Sequence, residues 1–312
     1  MYFPFLRLKQ YEAIALREVA DIVATASQVP IVEPVKASAQ AMNRMTSVVQ
    51  DISNHGGQII LIVNPMVGEF SRNNGALITA INTIFPTALN MIIGVLIDVN
   101  TTPAFLQGIL NTYGANRVAI IHKEMSQIPN LPTLCAGVAY NIYFAGRVSP
   151  AYEASLAGSP KVLVHNGFIQ RNNADYPPDE FFSSLHLTFN TSGYDGFGDF
   201  LTVGDQYRER GGPAYAVALH LTYFRQPPTN PDMHIKHFIS TSNTTTANPG
   251  GKFAEALANL MAHLNSPNSV IENTRGVVGY RALHNPPHYP GLGVPKKLSM
   301  MHHMEIMANR FP

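Results

Sequence analysis

The sequence predicts an α/β chain folded as a (β/α)8, TIM-barrel-like domain, with an appended β-hairpin and C-terminal helices, on three observations. Short apolar runs alternate with helix-periodic stretches through the first two-thirds of the chain, the order of a parallel sheet with helical crossovers. The runs are continuously aliphatic, as IILIV at 59–63 shows, which suits strands buried on both faces. The chain has 312 residues, which fits a barrel of ~250 residues with insertions.

In chain order, residues 2–6 form a first strand. Residues 9–26 form a helix, with Tyr11, Ile14, Ala15, Val19, Ile22 and Val23 on one face. A second strand at 30–35 precedes a helix at 38–52, and the third strand is 59–63. A helix near 74–84 leads to a strand at 91–99. Another near 103–113 stops at Gly114, a residue suited to the left-handed stop conformation. Strands follow at 117–122, 140–145 and 161–165, the last two joined by a short helix around 152–156. The eighth strand is either 199–203 or 215–223. The second alternates Tyr215, Val217, Leu219, Leu221 and Tyr223 with small or polar residues, the pattern of a half-exposed antiparallel strand. The barrel therefore takes 199–203, and 215–223 pairs with 234–239 as the hairpin, across a loop containing Pro227, Pro228 and Pro231. Helices at 252–264 and 298–309 close the chain, with an extended connection over 284–295. The whole reads as one domain, 1–312, in which 206–312 carry the hairpin and closing helices.

Composition narrows the function. Hydrophobic residues make up 46% and charged residues only 13%, with a net charge of +1, so no basic surface for nucleic acid is expected. Weak surface charge, together with the hairpin face of Val217, Leu219 and Leu221, predicts a homo-oligomer or a companion protein. A single cysteine, Cys135, excludes an internal disulfide. No apolar run approaches the ~20 residues of a membrane span, and a cytoplasmic location is expected.

Polar residues end the strands: Glu33 the second, Asn64 the third, Asp98 the fourth, His122 the fifth and His165 the seventh. Lys9 and Glu12 follow the first strand, Arg147 the sixth and Asp205 the candidate eighth. In a barrel these ends share the rim that carries the active site. Glu33, Asp98, His122, His165 and Lys9 are thus the candidate catalytic set, able to divide acid and base roles or to hold a divalent metal. Asn64 and Arg147 are candidate substrate-binding residues. Ser240, Ser242, Gly250, Gly251 and Lys252 form a second candidate set, because a glycine-led helix start attracts phosphate; the bland alternative is a helix capped by Asn248. His302 and His303 lie among methionines at helical spacing and read as a core-facing helix. Asp195, Asp199, Asp205, Arg208, Glu209 and Arg210 sit in a glycine-rich stretch that reads as a lid, and Gly196 and Gly198 as a flexible loop. No H-E-x-x-H, G-x-S-x-G or P-loop motif occurs.

The opening pattern Tyr2, Pro4, Leu6, Lys9, Glu12, Ala15, Leu16, followed by PIVEPVK at 30–36, resembles the bacterial "beta protein" family. The stretches GFGDFLTVGD at 196–205 and KHFISTSNTTTANPGGKF at 236–253 also look like that family, so the resemblance runs along most of the chain. It implies a barrel-like fold, a bacterial or phage-related origin, a small companion protein and a role in anti-phage defence. It supplies no catalytic residues, and Leu8 departs from the glycine expected there. The functional expectation is a barrel hydrolase acting on a phosphorylated or nucleotide-like substrate, with a non-catalytic subunit docking a companion as the alternative.

Overall fold

Side-chain alternation decides the architecture. The computed structural model describes residues 1–209, 211–212, 214–225 and 231–311. Its elements run β1 (Tyr2–Leu8), α1 (Gln10–Glu18), α2 (Ala20–Thr25), β2 (Ile31–Pro34), α3 (Ala39–Asn54), β3 (Ile59–Ile62), α4 (Gly75–Ile84) and β4 (Met91–Ile97). Next come α5 (Pro103–Tyr113), β5 (Val118–His122), α6 (Leu131–Cys135), β6 (Tyr140–Phe144), α7 (Pro150–Ser155) and β7 (Lys161–His165). The remainder is β8 (Asp179–Ser183), α8 (Leu185–Thr188), β9 (Gly196–Asp199), β10 (Ala218–Phe224), β11 (Met233–Ile239), α9 (Pro249–Leu264), α10 (Arg275–His284) and α11 (Gly293–Arg310).

Strands β1 to β7 and β9 close into a parallel eight-stranded barrel. One residue in two points into the lumen, where Phe3, Phe5, Ile31, Ile60, Ile62, Leu96, Ile121, Ile142 and Val164 form a core of their own. The alternate residues, Leu6, Val32, Leu61, Val95, Ile120 and Tyr143 among them, pack outward against the helices.

The expected eighth strand is displaced. Residues 196–199 (GFGD) form β9, and Leu201–Val203 is a single 3-10 turn, so the stretch read as a flexible loop is a barrel strand. Glycine is required there for packing: a Cβ on Gly198 would lie 2.0 Å from the Phe3 carbonyl oxygen of β1. The hairpin is present as β10 and β11, but β8 joins it to make a three-stranded antiparallel sheet in the order β10-β11-β8. Pro227 and Pro228 lie outside the described residues. The single helix expected over 9–26 breaks at Val19 into α1 and α2, and α10 was not anticipated.

The apolar face that motivated an oligomer is covered from within. Val217, Leu219 and Leu221 are buried in the core shared with Phe253, Leu257 and Leu260 of α9. Along the outer edge of β10, the Thr222 carbonyl sits 2.7 Å from His302 Nε2 of α11. Among the described residues, no helix is long and apolar enough to cross a membrane.

Candidate functional site

The rim at the C-terminal ends of the barrel strands does not gather the expected set. Inward alternation carries Phe3 and Phe5 on to Arg7, and Ile31 on to Glu33. Arg7 Nε stands 3.2 Å from Glu33 Oε2, its Nη2 stands 3.2 Å from Asp205 Oδ1, and Arg147 reaches Asp205 at 3.6 Å. The Met66 N–H donates to Glu33 Oε1 at 3.0 Å. Burial raises the Glu33 pKa above the usual carboxylate value, against the opposing pull of the Arg7 charge. These groups surround a cavity of only about 60 Å³, which Lys123 and Glu124 also line.

The other rim residues are absorbed locally. Asn64 clamps β3 to β4, donating to the Leu96 carbonyl at 2.7 Å and accepting from its N–H at 2.9 Å. Asp98 closes a turn, accepting from Asn100 N–H and the Thr101 hydroxyl.

His122 corrects the expectation outright. It follows Ile121, a lumen residue, and so must face the helices. There it stacks on Tyr143 and contacts Asn141 at 3.1 Å and Tyr152 at 3.0 Å, and burial lowers its pKa to about 4. His165 follows lumen-facing Val164 and turns outward for the same reason. The predicted convergence of both histidines with Glu33 fails on parity.

The phosphate expectation at the start of α9 also meets occupied groups. Asn248 Oδ1 caps Gly251 N–H at 2.9 Å, and a Cβ on Gly251 would strike that side chain. Ser242 binds Glu255, and Ser240 holds Val217 N–H at 3.0 Å. Lys252 is buried and donates to the Ala214 and Thr245 carbonyls. Gly250 packs beside the Tyr289 ring. The region is a capped helix whose lysine is turned inward.

A cavity of about 350 Å³ lies beside the barrel mouth, between the loops after β1, β7 and β9, the strand β10 and the start of α11. Such a volume suits a small ligand. Among the described residues five cations line it, Arg7, Lys9, Arg171, Arg208 and Lys296, against one carboxylate, Glu12. Three of the five are paired with carboxylates: Arg7 as above, Arg171 with Glu180, and Lys296 with Glu12 at 2.6 Å. Lys9 and Arg208 have no carboxylate partner among the described residues. Lys9 donates to the Arg208 and Glu209 carbonyls and sits 4.8 Å from the Tyr207 ring centre. Burial, then the Lys296 charge, lowers its pKa. Thr202 also lines this cavity; it is 4% exposed, and its hydroxyl has no hydrogen-bond partner among the described residues.

Sequence reasoning placed Lys9 here and singled out Arg208, but missed Arg7, Arg171, Thr202 and Lys296. Arg7 was readable from the inward series Phe3, Phe5, Arg7; the others arrive on loops and on the first turn of α11, ahead of its methionine pattern. The stretch read as a lid is tied down instead: Asp195 accepts from Lys161 N–H, Asp199 is buried, and Asp205 and Glu209 form ion pairs. Arg210 lies outside the described residues. Among the described residues, no three His, Cys, Asp or Glu side chains are placed to hold a metal. His302 and His303 are buried in the core, as the methionine spacing implied.

No protein-family model and no curated protein sequence matches the chain. Among solved structures, a variant of NCR from Zymomonas mobilis aligns at 13% identity over 64% of this chain and 80% of its own, with a TM-score of 0.37. An O-GlcNAc hydrolase mutant from Thermobaculum terrenum aligns at 12% identity over 64% of this chain and 54% of its own, with a TM-score of 0.37. An endo-beta-1,4-mannanase from Thermotoga petrophila aligns at 9% identity over 67% of this chain and 68% of its own, with a TM-score of 0.38. Likeness at this level carries no functional argument, and the chemistry must be read from the cavity itself.

Proposed function

We propose that this chain is a barrel hydrolase acting on a small phosphorylated substrate held in the cavity beside the mouth. The observation that carries the reading is the charge imbalance in that cavity, five cations against one carboxylate among the described residues, where Lys9 and Arg208 have no carboxylate partner. A phosphoryl group supplies the missing acceptors, and the Thr202 hydroxyl, which has no partner among the described residues, offers a further donor. The placement adds support, because loops after the seventh and eighth barrel strands recurrently bind phosphate in this fold. Here those loops contribute Arg171, Thr202 and Arg208. Taken with the beta protein resemblance, the reading extends to a role in anti-phage defence.

Calorimetric titration tests the binding step. Inorganic pyrophosphate and sugar phosphates should bind, while the matching neutral sugars should not. Lys9→Met and Arg208→Ala should each weaken binding about tenfold or more, the worth of one charge-assisted hydrogen bond. A neutral sugar binding as tightly as its phosphate would sink the reading.

A further inference from the structure

One wall of the cavity carries a pair of histidines that anion binding does not use. Register places His220 of β10 directly opposite His237 of β11, and His220 lines the cavity. Their Nδ1 atoms are 2.7 Å apart, and His237 Nε2 lies 3.0 Å from Glu180 Oε1 on β8. Arg171 donates to both oxygens of Glu180, at 2.6 and 2.8 Å.

The proton positions follow from this order. Glu180, as a carboxylate paired with arginine, only accepts, so His237 must carry its proton on Nε2. A neutral His237 then offers a lone pair at Nδ1, and His220 must donate to it from its own Nδ1. That leaves the lone pair of His220 on Nε2, which has no partner among the described residues. Burial, then the neighbouring His237, drives the His220 pKa well below its usual value, and burial lowers that of His237 while Glu180 opposes. Both rings are therefore neutral near pH 7. Tyr176, with ring centres 4.7 Å from His220 and 4.6 Å from His237, and Phe168, 5.0 Å from His220, hold the rings in place.

We infer that His220 is the general base of this cavity, taking a proton at Nε2 from a water that attacks a phosphorylated substrate, with His237 and Glu180 as positioning residues. The inference rests on the anionic-substrate reading above. In the step, one O–H bond of water breaks and its proton passes to His220 Nε2. The water oxygen bonds to phosphorus as the bond from phosphorus to the leaving oxygen breaks, and the imidazolium then returns the proton to that oxygen. The substrate itself tunes the base, because a phosphoryl charge nearby favours the imidazolium and raises the depressed pKa toward the working range.

Two measurements on the intact chain test this. Nitrogen NMR of histidine-labelled protein should show His220 as the Nδ1–H tautomer and His237 as the Nε2–H tautomer at pH 7. The opposite tautomer at His220, or its titration near 6.5, would overturn the assignment. Diethyl pyrocarbonate should then carbethoxylate His220 faster than the exposed His55 and His288, with inorganic pyrophosphate protecting it. His237→Phe should slow the reaction at His220 several-fold, because the acceptor for its Nδ1–H is gone. A histidine pair that only braces the sheet predicts an unreactive His220, and that result would reject the base. Fast reaction without protection keeps the base and rejects the phosphate site. Pyrophosphate binding with an unreactive His220 does the reverse.

Discussion

Arg7 and Glu33 show how one residue's environment decides what its partner is worth. Burial outweighs the Arg7 charge at Glu33, so the carboxylate gains little net stabilisation from being ionised. Glu33→Gln should therefore change stability by less than about 1 kcal/mol, since Met66 N–H can still bond an amide oxygen. Arg7→Met should cost about 3 kcal/mol, because it strands a carboxylate that is 3% exposed. The Arg7→Met penalty should also shrink as pH falls, since a carboxyl with a raised pKa takes up its proton early and removes the uncompensated charge. Urea melts of both variants at neutral and acid pH decide the matter; equal costs, or the reverse order, would contradict it. The inward placement of Glu33 was legible from the alternation of its strand. The same alternation turned His122 and His165 away from Glu33, and strand ends taken without their parity concealed it.

At the scale of elements, β9 shows why the barrel's closing strand was hard to see. A strand of GFGD has almost no β-branched or aliphatic signal, because its inward positions are filled by the neighbour rather than by itself. Phe3 of β1 lies against Gly196 and Gly198, where any side chain would collide with its ring or its backbone. Gly198→Ala should cost more than about 3 kcal/mol, beyond ordinary overpacking, because backbone cannot yield as a side chain can. A thermal melt of Gly198→Ala unchanged from wild type would show that β1 and β9 separate at little cost. The strand β8 was missed for a related reason. Asp179 and Glu180 make DEFFS look like a polar loop, yet both carboxylates are consumed by cross-strand partners, Lys236 and His237.

For the molecule as a whole, the barrel, the small sheet and the last helix meet at one buried network. Asp199 of β9 accepts from the Tyr2 hydroxyl of β1 at 2.8 Å and lies 3.2 Å from His303 Nε2 of α11. His303 Nδ1 in turn lies 2.8 Å from the Thr222 hydroxyl of β10. Burial alone would raise the Asp199 pKa, but the His303 charge and hydrogen bonds from His303, Leu201 N–H and Tyr2 hold it below the usual value. A carboxyl with a depressed pKa stabilises the fold above its unfolded value of 3.8 and loses that contribution as pH falls through the folded one. Asp199→Asn should thus cost about 3 kcal/mol at pH 7 and progressively less below the ordinary aspartate range. Denaturation curves at pH 7 and pH 3 check it, and a gap that widens in acid would refute the ionic account.

The local regularities belonged to the sequence. Aliphatic runs, helix periodicity and the alternation of β10 are set by neighbours along the chain, and they determined the barrel, the hairpin and the core-facing Met-rich helix. The Asn248 cap and the Gly114 stop are equally local, and both are present. The cavity belongs to the tertiary structure. Arg7, Arg171, Thr202, His220 and Lys296 come from five separate segments, and only barrel closure and the docking of α11 bring them to one wall. Which carboxylates remain available was likewise decided in three dimensions. Glu33, Asp98, Glu180 and Asp199 look alike in sequence, and each is committed by a partner distant in the chain or by the turn it closes. Charge pairing at distances of about 3 Å leaves no imprint on the spacing of residues along the chain.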